Sequence, residues 1–219
     1  MVGDAEAAEW AEAAADARKR EDPLAERQAL EQLVALRPGD ADARVRLALL
    51  QIDGKRFAAA AEHLERAIEL RAGKDPSASM ALVYALQAHG RFDEAIAELK
   101  RLQRFQDDPR PGARLGWIYL ARGDVAAART EFTAVLDRWP TSRDAQVGLG
   151  VVHRREGDLD ESRRVLEEAR EFASHYSLVH YQLALTYRAL GDEVKARQAM
   201  AKFEALGGPG APDWSDVSP

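Results

Sequence analysis

A spacing of 33 or 34 residues, repeated along most of the chain, constrains its fold more than any other feature. Glycines recur at Gly90, Gly123, Gly157 and Gly191, separated by 33, 34 and 34 residues. Five residues after each stands a small side chain: Ala95, Ala128, Ser162 and Ala196. Four further on comes a large apolar one: Leu99, Phe132, Leu166 and Met200. Eight residues before each glycine is a leucine: Leu82, Leu115, Leu149 and Leu183. Four columns in one register mark an internal repeat, which sets the architecture of the whole chain. The register continues backwards with Lys55 in the glycine place, flanked by Leu47, Ala60 and Leu64. It continues more faintly through Trp10, Ala13, Ala14 and Ala17, a turn near Glu21 to Pro23, then Leu30, Leu33 and Pro38. Six units result, beginning near residues 7, 41, 76, 109, 143 and 177.

Within each unit, apolar residues three and four apart on both halves give two amphipathic helices. Gly-Asp at 123–124, 157–158 and 191–192 separates the halves. The glycine supplies the left-handed end of one helix, and the aspartate is placed to cap the start of the next. A single hairpin cannot bury its own stripe, so neighbouring hairpins must stack. Ala, Leu, Glu and Arg dominate the composition and β-branched residues are sparse, which agrees with an all-α chain.

The best-formed unit, residues 109 to 142, reads Leu115-Gly116-x-x-Tyr119, Ala128-x-x-x-Phe132 and Pro140. On these residues the chain resembles the tetratricopeptide repeat family, over roughly residues 7 to 206. The resemblance implies a right-handed α-solenoid of about six helical hairpins, spanning residues 1–206, with 207–219 as a Gly/Pro-rich tail. It also implies an adaptor or scaffold that binds other proteins; the Ala- and Arg-rich character is closest to bacterial scaffold-type members. One column departs from the family pattern. Where the family places a bulky aromatic, this chain has Trp10, which conforms, and then Arg44, Ser79, Gly112, Gln146 and His180, which do not. Looser or shifted packing between those units is the expectation.

Several classes of chemistry are disfavoured. The absence of cysteine excludes disulfides, thiolate metal sites and cysteine nucleophiles. A net charge of −6 opposes general attraction to nucleic acid or anionic membranes. No apolar run is long enough to cross a bilayer, and the start lacks the pattern of a signal peptide. The reading is of a soluble protein, cytoplasmic rather than periplasmic. Phosphate loops, zincin motifs and calcium loops are missing. Gly148-x-Gly150 sits inside a helix, where close packing explains it better than a nucleotide fingerprint. His153 stands in the column of Tyr119 and Tyr187 and reads as a packed side chain; His175 and His180 lack a third metal ligand. The expectation is no enzyme activity, no metal and no cofactor.

In the family that the chain resembles, the first helix of each hairpin lines a concave surface. Helical spacing then gives an inward column Val45, Met80, Ala113, Val147 and Tyr181. The column one turn later holds Leu49, Tyr84, Trp117, Val151 and Leu185, and three residues beyond come Ile52, Gln87, Leu120, Arg154 and Arg188. The apolar members form a candidate groove for a peptide with hydrophobic anchors. Arg154, Arg155 and Arg188, with Arg110, would meet an acidic residue or a terminal carboxylate. A plain reading stands beside it, in which the first column is apolar only because it touches the next hairpin. On the groove reading, Tyr84→Ala and Trp117→Ala abolish binding and spare folding. The lysine–asparagine carboxylate clamp of some family members is excluded, since the corresponding places hold Val45, Leu49, Met80, Tyr84 and Ala113. The alternative function is a self-assembling scaffold, a homo-oligomer formed through the groove or through the tail carrying Trp214.

Overall fold

The computed structural model describes residues 2–208, and the Trp214 tail lies outside them. Twelve α-helices and no strand occur among the described residues. They pair as consecutive antiparallel hairpins, so the chain is an all-α solenoid of helical hairpins.

Two compact units divide it, one ending at Gln106 and one starting at Asp107. The first contains α1 (Val2–Lys19), α2 (Pro23–Leu36), α3 (Ala41–Asp53), α4 (Phe57–Leu70), α5 (Pro76–Ala88) and α6 (Phe92–Phe105). The second contains α7 (Pro109–Ala121), α8 (Val125–Arg138), α9 (Arg143–Glu156), α10 (Leu159–Phe172), α11 (Ser177–Ala189) and α12 (Glu193–Ala205). The first helix starts well before residue 7, because Ala5, Glu6 and Ala7 are strong helix formers and Asp4 places a negative charge in the first turn, where the helix dipole favours it.

Caps and turns follow from the sequence with one exception. Gly90, Gly123, Gly157 and Gly191 are all left-handed, with φ between 79° and 90°. Lys55 takes the same conformation at φ 58°, and so does Glu21 at φ 55°. Asp124 and Asp192 accept bonds from Ala127 N and Lys195 N and thereby cap α8 and α12. Asp158 makes no such cap; its carboxylate stands 4.0 Å from His153 Nδ1. Asp22, Asp40, Asp75 and Asp108 cap α2, α3, α5 and α7.

The alanine and bulky columns form the core. In the N-terminal unit Leu47, Ala60, Leu64, Ala95 and Leu99 are fully buried. In the C-terminal unit Phe132 is fully buried, and Gly116 and Gly148 make room for it: a Cβ on either would stand 2.5 Å or 2.2 Å from its ring. Gly150 opens the same kind of space for Leu166. Close packing therefore accounts for Gly148-x-Gly150. Where Ser162 replaces alanine, its hydroxyl donates to Gly150 O at 2.8 Å and contacts Thr186 Oγ1 at 3.0 Å, so a buried polar atom is satisfied.

The departing column has a physical account. Arg44 Nε donates to Pro38 O at 2.8 Å, Gln146 Nε2 donates to Pro140 O at 2.8 Å, and His180 Nε2 meets Ser174 O at 2.8 Å. Each reaches the carbonyl six residues earlier, in the loop that joins one hairpin to the next. At Ser79 the serine is too short, and Arg101 does it instead, bonding both Ser79 Oγ and Gly73 O. Polar side chains thus close the inter-hairpin loops where a bulky aromatic would pack, which sequence spacing alone does not show.

Candidate functional site

In the C-terminal unit α7, α9 and α11 touch in succession and bound a cleft of about 1040 Å³. Residues three, four and seven apart fall on one face of each helix. On that basis α7 brings Trp117, Leu120 and Ala121, α9 brings Val151, Arg154 and Arg155, and α11 brings Tyr181, Leu185 and Arg188. Leu120 and Val151 are buried beneath the cleft, while Trp117, Tyr181 and Leu185 are half-buried at its sides. Two of these side chains are anchored from behind. Trp117 stands edge-on to Phe132 at 5.7 Å, and Tyr181 leans on Phe203 at 5.1 Å. Such contacts hold large rings at little entropic cost to a later binding step.

The charge in the cleft is unusual for an acidic chain. Arg154 Nη2 donates to Gln182 Oε1 at 2.7 Å, and Gln182 is itself buried. The Arg154 Nε is buried with no hydrogen-bond partner, and no carboxylate pairs with this guanidinium among the described residues. Burial first, and then the neighbouring Arg155, hold its pKa below the usual arginine range. Glu156 also lines the cleft, but both its carboxylate oxygens are taken by Arg129. A second, smaller cleft of about 340 Å³ on α11 and α12 mixes Arg188 and Arg197 with Glu193 and Glu204, so it carries no charge preference.

The other expected groove residues fall elsewhere. In the N-terminal unit Val45, Ile52 and Met80 are half-buried, and Leu49 and Tyr84 are exposed. All five lie on α3 and α5, which touch. Tyr84 meets Phe57 edge-on at 6.2 Å. Val147 is not at the surface: it is fully buried with Leu166, Ala169 and Leu183. Ala113 is likewise buried. The plain reading therefore holds for these two, since the first column sits nearest the neighbouring hairpin. Arg110 does not stand with the expected cations of the cleft, because it forks onto Asp108 at 2.5–3.0 Å and holds that carboxyl below its usual range. Trp117 contacts the core as well as the cleft, so its truncation must affect stability too.

Sequence spacing missed Gln182, whose role appears only when α9 and α11 are set side by side. It also missed a trio: His153, Glu156 and Asp158 have ligand atoms within 4.8 Å of one another. Arg129 already balances Glu156 there. His180 is engaged with Ser174 O, and His175 is exposed. Burial lowers the pKa of His63 and His153. The phenol of Tyr187 is pushed up to about 12, by burial and then by its bond to Glu167. No helix among the described residues is long and apolar enough to cross a membrane.

Sequence models of the tetratricopeptide repeat match residues 21–76 and 113–177 in one case and 51–116 in another. A search of curated proteins finds no match. Among solved structures, a tetratricopeptide repeat protein from Parabacteroides merdae ATCC 43184 is similar with a TM-score of 0.77 and 16% identity, over 94% of this chain and 80% of that one. The hetero-tetramer Cut9–Hcn1 of the APC/C gives 0.66 at 17% identity, over 81% of this chain and 35% of that one. YrrB, described as a tetratricopeptide repeat protein with an unusual peptide-binding site, gives 0.54 at 16% identity, over 85% and 94%.

Proposed function

Because the chain belongs to the tetratricopeptide repeat family, we propose that it is a non-catalytic interaction module that holds a segment of another protein in the cleft of α7, α9 and α11. The observation that carries this reading is the cleft itself, where Trp117, Leu120, Val151, Tyr181 and Leu185 surround the Arg154 guanidinium, which meets only the neutral Gln182. Apolar side chains with a few polar groups are the usual lining of a site that seats an extended or helical segment. Burying two or three anchors at about 1.5–3 kcal/mol each suffices for micromolar affinity once ordering costs are met. In the N-terminal unit, Leu49 and Tyr84, with Val45, Ile52 and Met80, form a second apolar face on α3 and α5. The peptide-binding site of YrrB and the partnered state of Cut9 with Hcn1 fit the same use of the fold.

Site-specific photo-crosslinking in the native lysate tests the proposal. A photoreactive amino acid replaces Leu185, inside the cleft, or Val194, exposed on α12 outside it. A discrete adduct from position 185 that is lacking at 194 is the expected result. Equal adducts from both positions, or adducts only from 194, would refute the cleft as the binding site.

A further inference from the structure

We propose that the cleft selects a partner segment carrying one acidic side chain among apolar anchors, with that carboxylate received by Arg154. The inference rests on the interaction reading above and names the chemistry of the partner. Its basis is charge complementarity at one residue.

An ionised guanidinium taken out of water needs partners for its five donors. Here Arg154 has a single bond, to the neutral Gln182, and its buried Nε has none. The surroundings deepen the mismatch. Arg155 adds like charge beside it, Arg188 lies further along the cleft, and the one carboxylate lining the cleft, Glu156, is held by Arg129. A chain with a net charge of −6 has thus gathered three arginines in one apolar cleft and left the most enclosed of them without a counter-ion. A carboxylate entering the cleft would meet the Nη donors that Gln182 leaves, end-on in the paired geometry that arginine favours. The apolar neighbours set what flanks it. Trp117, Val151, Tyr181 and Leu185 suit leucine, phenylalanine or tryptophan on either side of the acid. Gln182 holds Arg154 in place, so the fork needs little reorganisation on binding.

Random linear peptides displayed on phage, panned against the full chain, provide the test. The wild type is expected to enrich peptides with one Asp or Glu close to large apolar residues. Arg154→Gln is expected to keep the apolar preference and lose the acidic one. An individual enriched peptide should bind that variant about tenfold or more weakly, and its acid-to-amide version should bind the two proteins equally. Arg154→Lys, which keeps the charge without the fork, should retain a weakened acid preference, and a thermal melt checks that each variant is folded. Peptides that enrich without an acid, or an acid preference that survives Arg154→Gln, would overturn the assignment of Arg154 and leave the cleft standing. No enrichment at all would overturn the interaction reading itself, and this inference with it.

Discussion

The ring of Phe132 occupies the space where a side chain at Gly148 would stand, since a Cβ there would meet the ring at 2.2 Å. Gly116, on α7 of the hairpin that carries Phe132, faces the same ring. One aromatic residue therefore wedges between two helices that approach it only because both lack a side chain. Gly148→Ala should destabilise the protein by about 1–3 kcal/mol in chemical denaturation. Phe132→Leu added to Gly148→Ala should recover part of that loss. Additive losses in the double variant would show that the two positions do not share this contact.

Lys55 tests the turn chemistry. It holds a left-handed conformation that the equivalent Gly90 adopts without steric cost. Lys55→Gly should raise stability by about 0.5–1 kcal/mol, and Gly90→Ala should lower it by about 1 kcal/mol, both read from urea midpoints. A loss on Lys55→Gly would mean that the lysine side chain contributes more than its backbone costs.

Trp117 and Tyr84 were equivalent when only helical spacing was considered, and the structure separates them. Trp117 packs on the buried Phe132, whereas Tyr84 is 46% exposed. Trp117→Ala should lose about 2–3 kcal/mol of stability, and Tyr84→Ala less than about 1 kcal/mol. Equal losses would place Tyr84 in the core as well.

The repeat was legible because its columns are local: the glycine, the alanine five later and the bulky residue four after that lie in one hairpin. Helix starts at Ala41, Pro76, Pro109, Arg143 and Ser177 follow from the same register. The site was legible only in part. Spacing within α7, α9 and α11 gave their shared face, but it could not distinguish Val151, which lines the cleft, from Val147, which packs on Leu183. That distinction depends on the angle between neighbouring helices. The Arg110–Asp108 pair is local, two residues apart at the start of α7, whereas the contact of Arg154 with Gln182 depends on side-chain reach between α9 and α11, which spacing does not give. The polar staples from Arg44, Gln146 and His180 reach carbonyls only six residues earlier, and they depend on the path of the inter-hairpin loop, which the repeat columns do not describe.

Acid should weaken the fold before the carboxylates titrate. Burial lowers the folded-state pKa of His63 and His153 from the ordinary value of 6.5. In the window just below that value the unfolded chain binds more protons than the folded one, so stability falls as pH falls. Denaturation midpoints should decline on going down through pH 6.5, and His153→Gln should flatten part of that slope. A slope of the opposite sign would mean that folding favours the protonated imidazoles.

On the proposal above, the cleft is organised around Arg154 for a partner and not for the fold. Replacing Arg154 and Gln182 together by leucine removes a buried cation and its neutral partner without stranding either one. Such paired replacement is neutral or stabilising when the charge was uncompensated. The folding free energy of the double variant, measured by equilibrium denaturation of the full chain, should equal or exceed that of the wild type. A loss of more than about 1 kcal/mol would contradict it, because the Arg154–Gln182 contact would then be part of what holds the helices together.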